Sequence, residues 1–146
     1  MITLRRLAPD DWAVFRDLRL ASLRDAPEAF ETPLADWLHA DERRWRRRLT
    51  DVPFTMCAEW EGRPAGVVCG TAPDEAGEVE LISLWVAPAV RGHGVGNALV
   101  RAVLRWAADQ GARQLRLEVR ETNTHAVALY RRQGFRPEGR YLVRPV

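Results

Sequence analysis

Residues 81–97 read LISLWVAPAVRGHGVGN: an apolar strand, a proline that breaks it, and glycines at 92, 94 and 96 ahead of a helix. A loop whose backbone amides face an anion belongs at such a junction. The orphan N–H groups of a helix N-terminus, with the partial positive charge there, bind phosphate oxygens without a side-chain ligand. The glycines permit close approach, and Arg91 and His93 add charge at the rim. The plainer reading is a glycine-rich turn that reverses the chain. Two nucleotide folds are excluded. A dinucleotide fingerprint follows the first strand, whereas this loop follows the fourth. A triphosphate P-loop ends in Gly-Lys-Ser/Thr, and Gly96 is followed by Asn97.

Working outward, Glu78 to Val86 reads as the strand entering the loop, and Val95, Leu99, Ala102, Val103, Trp106 and Ala107 make one apolar stripe on the helix leaving it, which Gly111 ends. Leu115, Leu117 and Val119 alternate with charged residues in a further strand. Thr124 to Gln133 is a short helix closed by Gly134, and Phe135 to Val143 supplies one or two last strands. Upstream, Ile2 and Leu4 mark a first strand. A helix capped by Asp10 or Asp11 runs toward Pro27, and a second is predicted from Leu34 to Leu49. Phe54–Trp60 and Gly66–Thr71 form a hairpin joined through residues 61–64. The order βααβββαβαβ describes one domain over residues 1–146, an α/β fold with a parallel crossover between the fourth and fifth strands.

Composition fits a globular chain: of 146 residues, 47% are hydrophobic and 29% charged, and the net charge is +2. No apolar run approaches the ~20 residues of a membrane span, and Met1 to Leu7 has no signal-peptide pattern, so a cytoplasmic protein is expected. Cys57 and Cys69 fall on the two hairpin arms, close enough to meet, and read best as buried reduced thiols. Arginines at 43, 44, 46, 47 and 48 form the most basic stretch. Without aromatic stacking or a groove-reading motif this is a solvated or paired helix face rather than a nucleic-acid contact. His39 and His125 lack partners at metal spacing, and no metal is expected.

The strand ISLWVAP, loop RGHGVG, strand LRLEVR and segment NTHAVALYRRQGF, in this order and separation, resemble the GNAT superfamily of N-acetyltransferases over about residues 80–136. Arg91, Gly94 and Gly96 fit its (Gln/Arg)-x-x-Gly-x-(Gly/Ala) loop; Asn123, Ala126, Tyr130, Gly134 and Phe135 fit its second block. The resemblance implies a mixed, mostly antiparallel sheet flanked by helices on both faces, with strands four and five parallel and splayed. It implies acetyl-CoA as cosubstrate, its pyrophosphate held by the loop from Arg91 through Gly92, His93, Gly94, Val95 and Gly96 to Asn97. The pantetheine arm would then lie along Leu84, Trp85 and Val86 and meet Asn123 and Ala126.

By the same resemblance Tyr130 protonates the departing thiolate. For the base that accepts the amine proton, Glu118 matches bacterial ribosomal-protein N-terminal alanine acetyltransferases, whose LEVR segment is similar; Glu80 is the other common location, and a water chain is the third choice. The first half of the chain departs from those enzymes, so their substrate does not carry over. The acceptor would be an amine facing the first two helices and the last hairpin, where Trp37, Trp45 and Tyr141 read first as core. Many relatives pair as a homodimer through the last strands. A CoA-binding module without catalysis is the rival reading.

Overall fold

A computed structural model describes residues 1–30 and 32–146. Seven strands form one sheet: β1 (Ile2–Arg6), β2 (Phe54–Trp60), β3 (Arg63–Gly70), β4 (Glu78–Val86), β5 (Gln114–Glu118), β6 (Arg136–Glu138) and β7 (Tyr141–Pro145), in the spatial order β1-β2-β3-β4-β5-β7-β6. Every neighbouring pair is antiparallel except β4 with β5. The α-helices are α1 (Trp12–Asp25), α2 (Glu42–Asp51), α3 (Val95–Asp109) and α4 (Thr124–Arg132). A parallel pair needs a crossover, and α3 provides it.

Strand alternation sends side chains into two cores. Val79, Leu81, Leu115 and Leu117 pack with Leu99, Val103 and Tyr130 on the α3–α4 face. On the opposite face Cys57, Val67, Cys69 and Trp85 pack with Phe15, Leu18, Trp45 and Leu49 of α1 and α2. The thiols sit diagonally, Cys57 opposite Val67 and Cys69 opposite Thr55, and both are buried and free. Burial pushes the Cys57 thiol up to about 11, so it stays protonated and inert at neutral pH.

Two local expectations change. The helix predicted from Leu34 to Leu49 is a 3-10 turn at Leu34–Asp36 followed, after a break, by α2. Asp41 accepts a hydrogen bond from the Arg44 amide at 2.9 Å, and this cap starts a new helix where one continuous helix was expected. Within α2, Trp45 and Leu49 are buried while Arg46 pairs outward with Glu42 and Asp10. The hairpin between β2 and β3 also closes more tightly than expected. Trp60 pairs with Arg63, leaving only Glu61 and Gly62 in the turn, both with positive φ (53° and 78°) as a two-residue primed turn requires.

The feature that positions the site is the short β4–β5 ladder. It holds only Glu78–Glu80 against Gln114–Arg116. Beyond Glu80 the register of β4 against β3 shifts between Val67 and Cys69, and Ser83 takes a positive φ of 59°, a bulge that re-aims β4. At the paired end Arg116 binds Asp74 and Glu78, each at 2.9 Å, and approaches Glu80 at 3.5 Å. The strands are therefore clamped at one end and apart at the other.

Gly66 on β3 lets α3 seat against this divergence, since a Cβ there would lie 3.1 Å from the Trp85 carbonyl oxygen and 3.2 Å from Leu99 and Val95 side-chain carbons. Gly66→Val should cost about 1–3 kcal/mol by overpacking, read as a lower urea midpoint with an unchanged m value.

Candidate active site

The gap between β4 and β5 opens into a cleft of ≈ 1540 Å³ that reaches from the N-terminus of α3 to the wall made by α1 and α2. At one end the chain enters α3 through Gly92 (φ 84°) and Gly94 (φ 82°), with nothing within 4 Å of where either Cβ would be. Left-handed backbone at alternate positions turns successive amides to one side, a geometry that suits an anion. Gly94 is the N-cap and has no side chain to satisfy the first turn, so the N–H groups of Val95, Gly96 and Asn97 open on the cleft uncapped. At Gly96 a Cβ would stand 3.2 Å from Leu129 Cδ2, so the glycine lets α4 close over the start of α3.

Of the charged loop residues, Arg91 is engaged within the protein. Its Nε donates to the Val86 carbonyl at 3.1 Å and its Nη2 to Asp25 Oδ2 at 2.7 Å. The same carboxylate oxygen accepts the Trp85 indole N–H at 2.9 Å. Asp25 thus ties the end of α1 to β4 and to the glycine loop. The Trp85 bond, then Arg91, holds its carboxyl below the usual range. His93 packs at a tilt against Trp60, ring centroids 4.8 Å apart, and is not among the residues lining the cleft. Sequence reading missed Asp25, although an acidic residue in the last turn of a helix, opposed to the helix dipole, is a signal that it has another partner.

On α4, Asn123 caps its own helix through the Ala126 amide at 3.3 Å, which occupies its side-chain oxygen and leaves its NH₂ for other contacts. Asn97 Oδ1 accepts from Gln133 Nε2 at 3.0 Å, pinning α4 to α3. Ala126 and Tyr130 line the cleft. Tyr130 is 5% exposed, edge-on to Phe135, and its hydroxyl has no hydrogen-bond partner among the described residues. Burial raises its pKa above the ordinary phenol value, so it remains a proton carrier across the physiological range.

Both carboxylates expected as bases line the cleft. Glu80 sits at the clamped end within 3.5 Å of Arg116; Glu118 lies two residues past the last position at which β5 pairs with β4 and meets Arg140 at 3.6 Å. Trp37 and Trp45 line the far wall with their rings 4.7 Å apart, whereas Tyr141 stands outside the cleft against Arg140. Among the described residues no group of three or more His, Cys, Asp or Glu is arranged to hold a metal, and no helix is long and apolar enough to cross a membrane.

The acetyltransferase (GNAT) family model matches residues 14–135. The chain belongs to the GNAT acetyltransferase family. Similar members include the mycothiol acetyltransferase of Renibacterium salmoninarum, 31% identical over 144 residues, which cover 92% of this chain and 40% of that protein. The aminoglycoside N(6')-acetyltransferase type 1 of Stenotrophomonas maltophilia is 32% identical over 133 residues, 91% of this chain and 85% of that one. Among solved GNAT structures, the phosphinothricin acetyltransferase of Sinorhizobium meliloti in complex with AcCoA superposes with a TM-score of 0.82 at 20% identity, covering 99% of this chain and 88% of that one. The chain thus spans less than half the length of the mycothiol acetyltransferase it matches.

In this GNAT domain the Asp25 tie has a readable pH signature. A carboxyl with a depressed folded-state pKa adds stability that is complete above its unfolded value of about 3.9 and is lost as pH falls through the lower folded value. Thermal melts should therefore show wild type above Asp25→Asn at pH 7, with the gap closing as the buffer is taken below pH ~4.

Proposed function

We propose that the protein transfers the acetyl group of acetyl-CoA to a primary amine of a small molecule or a peptide N-terminus, by direct attack in a ternary complex, with residues 1–146 working as one domain in the cytoplasm. The observation that carries this reading is the uncapped, glycine-lined start of α3 opening onto the unpaired edge of β4. The first is a cradle for a pyrophosphate and the second a strand edge for the amides of a pantetheine arm. Acetyl-CoA in the superposable phosphinothricin acetyltransferase supports the assignment.

When bound, acetyl-CoA supplies the acyl group and a thiolate leaving group; the rest falls to this chain. Amides from Gly92 to Asn97 hold the phosphates. Leu84, Trp85 and Val86 present the β4 edge beyond the bulge, where a backbone N–H aimed at the acyl oxygen stabilises developing charge. Asn123 offers its side-chain NH₂ to the pantetheine. Tyr130 is the proton donor, because it lines the cleft, burial keeps its hydroxyl protonated, and that hydroxyl meets no hydrogen-bond partner among the described residues. Glu118 accepts the amine proton: it lies on the opened side of β5, whereas Glu80 shares Arg116 with two other carboxylates at the clamped end.

Tyr130→Phe should lower amine-dependent thiol release on the order of 10²-fold while calorimetric acetyl-CoA affinity is retained. Unchanged turnover across pH would remove Tyr130 as the acid. Acetyl-CoA binding by the wild type without release on any amine would make the protein a CoA-binding module.

A further inference from the structure

Three hydrogen-bond donors in the α1–α2 wall are buried without an acceptor among the described residues: Arg19 Nη1, Arg48 Nη1 and Trp45 Nε1. All three residues line the cleft. Arg19 is 8% exposed, yet no carboxylate of the described residues pairs with it; its guanidinium lies over the Phe30 ring at 4.7 Å. Arg48 has only weak or neutral acceptors, Ser83 Oγ at 3.3 Å and Cys69 Sγ at 3.8 Å, and lies 5.4 Å from the Phe15 ring centroid. The two cations also oppose each other. Burial first, then Arg48, pulls the Arg19 pKa down to about 10, still charged at neutral pH.

Charge left unpaired in a protein interior is costly, and buried donors in native folds are normally satisfied. Elsewhere in this molecule partly buried arginine does find carboxylate, as Arg116 shows. The wall therefore presents buried donors for which no described residue supplies an anion. Arginine forks match a planar carboxylate in particular. Glu80 and Glu118 line the same cleft, so a molecule that carries both an ammonium and a carboxylate finds side chains of opposite charge for each.

We propose that Arg19 and Arg48, with the Trp45 indole N–H, bind a carboxylate on the acceptor, which makes the acceptor class amino-acid-like amines. This rests on the acetyl-transfer reading and narrows it. A carboxylate could also arrive on the acyl chain of a dicarboxylic acyl-CoA, and the test separates the two sources.

The test compares kcat/KM for a panel of free amino acids with that for their carboxamides, by acetyl-CoA-dependent thiol release, in wild type, Arg19→Met, Arg48→Met and Arg48→Lys. Wild type should favour the acid at least about tenfold. The Met variants should bring that ratio near one with acetyl-CoA affinity retained, and Arg48→Lys should restore part of it. Arg19→Met should also melt a few degrees higher without ligand, because an uncompensated charge is gone. If Arg19→Met does not fold, the wild-type ratio and the Arg48 variants decide. Equal use of acid and amide by wild type overturns the proposal and leaves acetyl transfer standing. Variants that lose a preference for succinyl-CoA over acetyl-CoA while keeping acid selectivity also overturn it, assigning the wall to the acyl chain. If no amine releases thiol, the acetyl-transfer reading fails, and calorimetry on CoA-loaded wild type with N-acetyl amino acids and their amides still decides this one. Binding of acid over amide supports it; equal binding, or none, contradicts it.

Discussion

The divergence of β4 from β5 is the constraint on which the site depends. A parallel pair joined through α3 would ordinarily continue its ladder, but here it stops after three residues. Arg116 clamps the closed end by gathering Asp74, Glu78 and Glu80 across the two strands. At the other end the bulge at Ser83 turns β4 away, and Leu99, Val95 and Tyr130 fill the space behind it. An open sheet edge inside a fold leaves backbone donors and acceptors that need a partner. The fold is thus incomplete in the one place where an extended, amide-bearing ligand would complete it.

The cleft that results has two electrostatic halves. Backbone amides supply positive potential at the α3 end, where Arg91 also lines the cleft while donating to Val86 and Asp25. Side chains supply it at the α1–α2 end, through Arg19 and Arg48. Asp25 joins the halves, since one carboxylate oxygen holds both the indole of Trp85 and the guanidinium of Arg91. Tyr130 stands where burial keeps a phenol neutral, a state in which it can give a proton but does not add charge. Unpaired donors and a strained bulge are features that a core selected for stability alone would not keep.

Legibility in the sequence followed locality. The glycine loop, the α3 stripe and the alternation of β4 and β5 are periodic or contiguous signals, and the family blocks lie on them, so the mixed sheet and the splayed pair could be expected from residues 80–136. The region before α2 could not, because Leu34, Trp37, Leu38, Trp45 and Leu49 look like one helical face. The cap at Asp41, a single hydrogen bond, is what divides it. The functional side chains that escaped notice are all long-range. Arg48 belongs to a run of arginines that reads as a solvated face, and only its position against Ser83 and Phe15 sets it apart from Arg46 and Arg47. Arg19 sits on the apolar stripe of α1, where a lone cation says nothing of which cavity it lines.

Amide hydrogen exchange resolved by peptide, with and without acetyl-CoA, tests the role of the β4–β5 gap most directly. Slowed exchange is expected in two segments, residues 81–86 along the β4 edge and 92–97 at the start of α3, with little change in β1 and β2 at the far side of the sheet. Protection confined to other segments, or none at saturating acetyl-CoA, would contradict the claim that the gap between β4 and β5 is where this domain holds acetyl-CoA.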